Sequence, residues 1–317
     1  MTTIGYALSS EEFTAPELVR NAGLAKDSGF SDFMISDHFH PWTDRQGNSP
    51  FVWSVIGAMA TVTGGARIGT GVTCPTFRIH PAIIAQAAAT SATMCDFYLG
   101  VGSGEALNEH ILGDRWPPAD TRIAMLEESV ELLRLLWEGK ETTFEGEFYV
   151  VENARIYNVP DDPIPVMVSA FGPKAAEVAG RIGDGFVTTS PDADTIKVFN
   201  QSGGKGKPVM AMVKVCWHED ESQAKKLVYE LWPNHGLTGE LAQELPTPRM
   251  FEQACEMVTE EMATTGLALG PDPERYVEHV QEYVDAGVTE LFLQQIGPDQ
   301  EGFLHFWNAE VAPRLGL

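Results

Sequence analysis

The 317-residue sequence predicts an α/β protein folded as a (β/α)8 barrel, the TIM-barrel architecture. Three observations lead there. Short β-rich runs alternate with amphipathic helical runs almost from end to end. The β-rich runs are near-continuously apolar, as parallel strands covered on both faces are. Eight strand-plus-helix units can be counted, in a length that such barrels use for one domain. A doubly wound open sheet is the alternative for the same pattern.

The elements follow in order. TIGYAL (3–8) reads as the first strand, and APELVRNAGLAKDSG (15–29) as a helix with apolar spacing near 3.6 and a terminal Gly. DFMIS (32–36) is the second strand and FVWSVIGAMATVT (51–63) a helix. ARIGTGVT (66–73) is the third strand; the Ala-rich run 81–94 opens on Pro, which suits a first helical turn. DFYLGVGSG (96–104) is the fourth strand, and TRIAMLEESVELLRLLWEG (121–139) the clearest helix. The aromatic, β-branched stretch 142–160 has a central Gly and reads as an inserted hairpin. IPVMVSAF (164–171), DGFVTTS (184–190) and PVMAMVKVCWH (208–218) give strands five to seven, with helices at about 173–183, 192–200 and 221–232. Extra helices and a loop fill 233–271; TELFLQQIG (289–297) is the eighth strand, closed by a helix near 300–314. No low-complexity linker or short-period repeat interrupts the chain, so one domain over 1–317 is expected.

Composition narrows the class. Hydrophobic residues make up 44%, enough for a sizeable core. No stretch reaches the roughly 18 uninterrupted apolar residues of a membrane helix. The opening MTTIGYALSS lacks a basic segment followed by an apolar one, so a cytoplasmic protein is expected. A formal net charge of −24 repels phosphate backbones and anionic membranes, which argues against nucleic-acid and membrane partners and for a small-molecule substrate. Cys74, Cys95, Cys216 and Cys255 are far apart and form no CxxC pair, so reduced, buried thiols are expected.

In such a barrel, catalytic groups sit at the C-terminal ends of the strands. Strand two ends in MISDHFHPW (34–42), which puts Asp37, His38, His40 and Trp42 at the mouth. A metal site would need further His or carboxylate ligands from other strands, but strands five and six end in SAFG and TTS. An acid–base role needs only one imidazole oriented by a carboxylate. Adjacent strand residues point to opposite faces, so Asp37 beside His38 does not by itself make that pair. A purely structural loop is the third reading.

GVGSGEALNEH (100–110) has a G-x-G-x-G spacing after the fourth strand, the wrong place for a dinucleotide fingerprint. It reads either as backbone lying close to a flat ligand, with Glu105 and Asn108 beside it, or as a tight strand-to-helix turn. SAFGPK (169–174) precedes a helix whose free amide groups and dipole favour an anion, with Lys174 adding charge; an ordinary loop fits as well. Trp42, Trp53, Phe77, Phe171 and Trp217 either wall an aromatic pocket or belong to the core.

Taken together, GYALSSEEF, SDHFHPW, GTGVTCPT, GVGSGEALNEH, GRIGDGFVTTSPD and GPDQEGFLHFW resemble the coenzyme F420-dependent oxidoreductases of the bacterial luciferase-like superfamily, in the branch named for glucose-6-phosphate dehydrogenase. The resemblance runs across nearly the whole chain. It implies a luciferase-like TIM barrel with insertions, a homodimer, and a deazaflavin in the barrel mouth. It implies an active site of Asp37, His38 and Trp42, with Glu11 in the substrate pocket and Glu105 beside the cofactor's pyrimidine ring. Asn108 is implied as a cofactor contact, and Gly71, Val72 and Thr73 as cofactor-binding, with a cis peptide at Gly71-Val72. Ala170, Phe171, Gly172 and Thr189 fall in the cofactor's phosphate region. In the implied mechanism His38 takes the hydroxyl proton of an alcohol as its hydride goes to the deazaflavin C5, Asp37 orients the imidazole, and Glu105 serves the proton at the cofactor's N1.

Two departures stand out. The resemblance places three basic phosphate ligands of the sugar-phosphate enzymes at Asp192, Gln253 and Gly266 of this chain, so glucose 6-phosphate is not the expected substrate. SATMCDFYLG (91–100) is about two residues shorter than the family pattern before strand four. The competing functions are an FMN-dependent monooxygenase on the same fold, a metal-dependent hydrolase using Asp37, His38 and His40, and a cofactor carrier without turnover.

Overall fold

The computed structural model describes residues 2–316. Eight parallel strands close into a barrel: β1 (Thr3–Leu8), β2 (Asp32–Ile35), β3 (Arg67–Thr70), β4 (Phe97–Val101), β7 (Val166–Ser169), β8 (Gly185–Thr188), β9 (Val209–Cys216) and β11 (Glu290–Gln295). β11 pairs back onto β1, with Thr3 opposite Glu290, which completes the circuit. β5 (Thr142–Glu145) and β6 (Val150–Ala154) form the expected antiparallel hairpin. β10 (Ala268–Leu269) adds to the end of β9 outside the circuit. The expected helices are present, trimmed by a few residues; the C-terminal one is broken into 300–306, a π-helical turn at 307–311, and 312–315. Sequence reading passed over three elements: β10, the short helix Ala106–Glu109, and the 14-residue helix Pro273–Ala286, which opens on Pro and ends at a left-handed Gly287. The shortened approach to β4 closes as a tight turn, with the amides of Met94 and Cys95 both donating to the Ser91 carbonyl.

Alternation along the strands decides what lies inside. Ala7, Met34, Tyr98, Met167, Val187, Met210 and Phe292 point inward and fill the lower barrel. Two glycines make room for the largest of them. A Cβ on Gly5 would come within 2.6 Å of the Phe292 ring, and one on Gly69 within 2.1 Å of Tyr98. The outward residues, such as Phe33, Ile35, Leu99, Val166 and Leu291, pack under the helices and form the main core. Each such side chain stabilises the fold by about 1.5–3 kcal/mol. All four cysteines are free and buried. The C-terminal rim is therefore a rigid frame on which the loops after β2, β3, β4, β7 and β9 converge.

Candidate active site

Glu11 anchors one side of the rim. It follows β1 and is buried; its Oε2 accepts hydrogen bonds from Ser9 (2.8 Å) and Ser36 (2.7 Å). Its other oxygen faces His38 Nδ1 at 3.4 Å. His38 Nε2 lies 3.3 Å from Glu105 Oε1, so the imidazole sits between two carboxylates. Trp42 meets it edge-on, 5.1 Å between ring centroids, and is itself backed by Phe251.

Asp37 turns the other way. Its carboxylate accepts from Thr73 Oγ1 and from an Arg78 nitrogen, both at 2.8 Å. The same guanidinium reaches Glu109 at 3.4 Å, and the Arg78 amide donates to Glu109 Oε2 at 3.0 Å. Burial pushes the Glu109 carboxyl up to about 7, although Arg78 pulls it back. The Arg78 cation is stabilised because Asp37 and Glu109 outweigh its own desolvation. Asp37 does not contact the His38 ring: past the end of β2 the two side chains turn apart, and Glu11 and Glu105 flank the imidazole.

Asn108 ties these pieces together. Its Oδ1 accepts the amides of Phe39 (2.7 Å) and His40 (2.9 Å), and its Nδ2 donates to Glu105 at 2.7 Å. Both ends of the amide are engaged and the side chain is buried. His40 bonds the Leu107 carbonyl at 2.8 Å, away from His38. Among the described residues no group of three or more His, Cys, Asp or Glu is arranged to hold a metal ion.

A cleft of ≈ 520 Å³ runs from this cluster along the 102–104 backbone to the start of helix Pro173–Ile182. Asp37, Val72, Glu105, Ala170, Phe171 and Gly172 line it. The Gly71-Val72 peptide is cis, as expected. A Cβ on Gly102 would come within 2.9 Å of Val72, so only glycine lets this wall lie flat beside the cleft. At the far end, Gly172 faces open space and no side chain caps the helix, which leaves first-turn amides for an anion. An elongated ligand with a flat head and an anionic middle fits these residues.

Other expectations land differently. Thr73 is fully buried behind Asp37 and supports the site from outside the cleft. Thr189 is exposed beyond β8, its carbonyl accepting from Tyr283, and does not line the cleft. Lys174 is paired with Asp120 at 2.6 Å, so its charge is already answered. Of the five aromatics, Trp42 and Phe171 reach the site. Trp53 packs on Phe97, Phe77 on Trp116, and Trp217 on Phe306. A second cleft of ≈ 570 Å³ opens beside the starts of β4 and β7; its polar groups are Thr93 and the carboxylates of Asp96, Asp161 and Asp162, with no base to pair with them.

Fold and site define a (β/α)8 barrel whose mouth carries an imidazole between two carboxylates. The chain belongs to the luciferase-like family: the family model described as luciferase-like monooxygenase matches residues 1–290. Among its relatives, the F420-dependent glucose-6-phosphate dehydrogenase of Microbacterium testaceum is 36% identical, over 98% of this chain and 96% of that protein. The protein of the same name from Segniliparus rotundus is 37% identical, over 98% and 97%. An F420-dependent secondary alcohol dehydrogenase, solved with an F420-acetone adduct, superposes with a TM-score of 0.90 at 27% identity and 98% coverage of both chains.

Proposed function

We propose that this protein is a coenzyme F420-dependent oxidoreductase that interconverts an alcohol and its carbonyl compound, and that it does not use glucose 6-phosphate. The observation that carries the reading is His38, held between Glu11 and Glu105, with Glu105 also lining the cleft that runs to the uncapped helix start at Gly172. Bound F420 supplies hydride acceptance and donation. His38 takes the hydroxyl proton of the alcohol, or returns it to the carbonyl. Glu11, locked by two serine hydroxyls, and Glu105, locked by Asn108, hold the ring and stabilise its positive charge as the proton arrives. Trp42 closes the pocket over the reacting carbon and excludes water. Asp37 shapes the cleft wall, and the uncapped helix start by Ala170, Phe171 and Gly172 holds the cofactor's phosphate.

The departure from a sugar-phosphate substrate starts from the lack of a cation at Asp192, Gln253 and Gly266, and Asp192 sets a carboxylate there. It is an ionised helix cap, its oxygens taking the amides of Asp194 and Thr195 and the Thr195 hydroxyl. These hydrogen bonds hold its carboxyl below the usual range. A fixed negative charge there repels a phosphate. Gln253 and Gly266 are exposed and bring no cation.

The chain works as one domain over 1–317, with 142–160 and 233–271 as insertions. It acts in the cytoplasm as a homodimer, a reading supported by exposed Val62, Ile83 and Met94 on and beside the packed helices Val52–Val62 and Pro81–Ala92. Fluorescence titration with F420 and with FMN, followed by absorbance assays of F420 reduction on an alcohol panel, tests the function. Saturable F420 binding with turnover is expected. Tight FMN binding with oxygen consumption, or rapid glucose 6-phosphate oxidation, would overturn it.

A further inference from the structure

We infer that Lys214 and Gln294 form a substrate-recognition subsite in the barrel mouth, and that the substrate is an uncharged alcohol carrying a second oxygen acceptor near the reacting carbon. This names the substrate class for the oxidoreductase site proposed above and rests on that reading.

A lysine interrupts an apolar strand. In β9 the run VMAMVKVC places Met210, Met212 and Lys214 on the inner face. Met210 is fully buried in the barrel filling, whereas Met212 and Lys214 are partly accessible. The register partner of Lys214 on β11 is Gln294, two residues beyond inward-facing Phe292. Two nitrogen donors thus stand side by side on the inner wall.

Neither donor is satisfied. Lys214 Nζ lies over the Trp232 ring, 4.5 Å from its centroid, and has no acceptor within hydrogen-bonding distance among the described residues. Gln294 is 2% exposed and its Nε2 has no partner. Its amide favours ionisation of Glu12 without reaching hydrogen-bonding distance. The neighbouring acids, by contrast, already hold donors of their own. Glu12 takes Trp232 Nε1 at 2.7 Å and the Gly297 amide at 2.8 Å, and Glu11 is shared between two serines and His38. Glu11 links the two halves: it touches His38 and also sits in the field of Lys214. What the mouth lacks is acceptors, and a ligand has to bring them.

Charge decides which kind. Burial already pushes Glu12 up to about 7, with Glu11 adding to the shift, so this corner resists more negative charge. A carboxylate or phosphate would face both acids with one lysine to offset them. A plain alkyl group would leave two desolvated donors unpartnered. A hydroxyl or carbonyl oxygen satisfies both constraints.

The test uses the F420-loaded protein and three matched alcohols: 2-propanol, 1,2-propanediol and lactate. kcat/KM is expected to favour the diol over 2-propanol by about 30-fold or more, with lactate poorest. Lys214→Met and Gln294→Leu should each raise KM for the diol about tenfold and leave 2-propanol within about threefold. Lys214→Gln, which keeps a donor without charge, should retain most of the preference. Saturation-transfer NMR of the same alcohols on the protein reads the subsite independently of turnover, and circular dichroism checks the variants' folding. Preference for 2-propanol or lactate, or a diol preference that survives both variants, overturns the proposal. If F420 binds and no alcohol is oxidised while the diol still binds selectively through Lys214 and Gln294, the fault lies with the oxidoreductase reading and the subsite stands.

Discussion

Asp37 points into a network in which every carboxylate oxygen has a partner; His38, the next residue, points into one with longer contacts. Around Asp37 the contacts to Thr73 and Arg78 are both 2.8 Å, and Arg78 is shared with Glu109 under nearly complete burial. Around His38 the carboxylates stand off at 3.3 and 3.4 Å, and Glu105 remains about a quarter exposed to the cleft. The first arrangement is locked in geometry by short, charge-assisted hydrogen bonds. The second holds an imidazole between two acids at longer range. One peptide bond separates the strut from the imidazole proposed to move the proton.

The largest test of this contrast is Arg78→Met. It leaves Asp37 and Glu109 buried without a cation and should cost about 3–5 kcal/mol of stability. Urea unfolding followed by tryptophan fluorescence measures it. A loss under about 1 kcal/mol would mean the network is no strut. His38→Ala should do the reverse: stability nearly unchanged, F420 affinity within about tenfold, and alcohol oxidation down by about 10²-fold or more. Stopped-flow reduction of F420 reads the rate, and an unchanged rate would remove His38 from proton transfer.

Much of the His38 cluster was legible in the sequence, because MISDHFHPW and GSGEALNEH carry His38, Trp42, Glu105 and Asn108 at strand ends where such barrels place their chemistry. The supporting half was not. Arg78 lies four residues past Cys74 in a loop with no spacing that ties it to Asp37, and Glu109 reads as one more acid in a chain with 45 of them. Their pairing is a contact across 31 residues that only the closed barrel creates. Lys214 did leave a trace, as a lone charge in PVMAMVKVCWH, and reading that strand as plain core passed over it. Asn108 was visible as a residue but not in its role, since a buried amide and a ligand-facing one look alike until their partners are placed.

A smaller effect separates the two halves by pH. Glu109 has an ordinary value near 4.5 in the unfolded chain and about 7 in the fold. Below both values the carboxyl is protonated in either state and contributes nothing. As pH rises from about 4.5 to 7 the unfolded chain releases its proton first, so stability falls; above 7 the penalty is constant. Glu109→Gln should flatten that part of the stability curve, measured by urea unfolding at a series of pH values. A slope identical to wild type would place the titration elsewhere, with Glu12, also pushed up to about 7, the next group to replace.

The smallest effect lies outside both networks and asks whether the reactive half selects against phosphate from a distance. Asp192→Ala removes a helix cap from Ala193–Phe199 and should cost about 1 kcal/mol of stability. The same change removes a negative charge that is nearly fully exposed, so its repulsion of a phosphate is screened by salt and modest. Glucose 6-phosphate should then compete slightly better with the native alcohol at low ionic strength, by about threefold or less, and no better at 0.5 M salt. Inhibition constants at the two salt concentrations read this directly. A salt-independent gain would assign Asp192 a steric role, whereas no gain at low salt would place the discrimination against phosphate entirely within the barrel mouth, where Glu11 and Glu12 already oppose it.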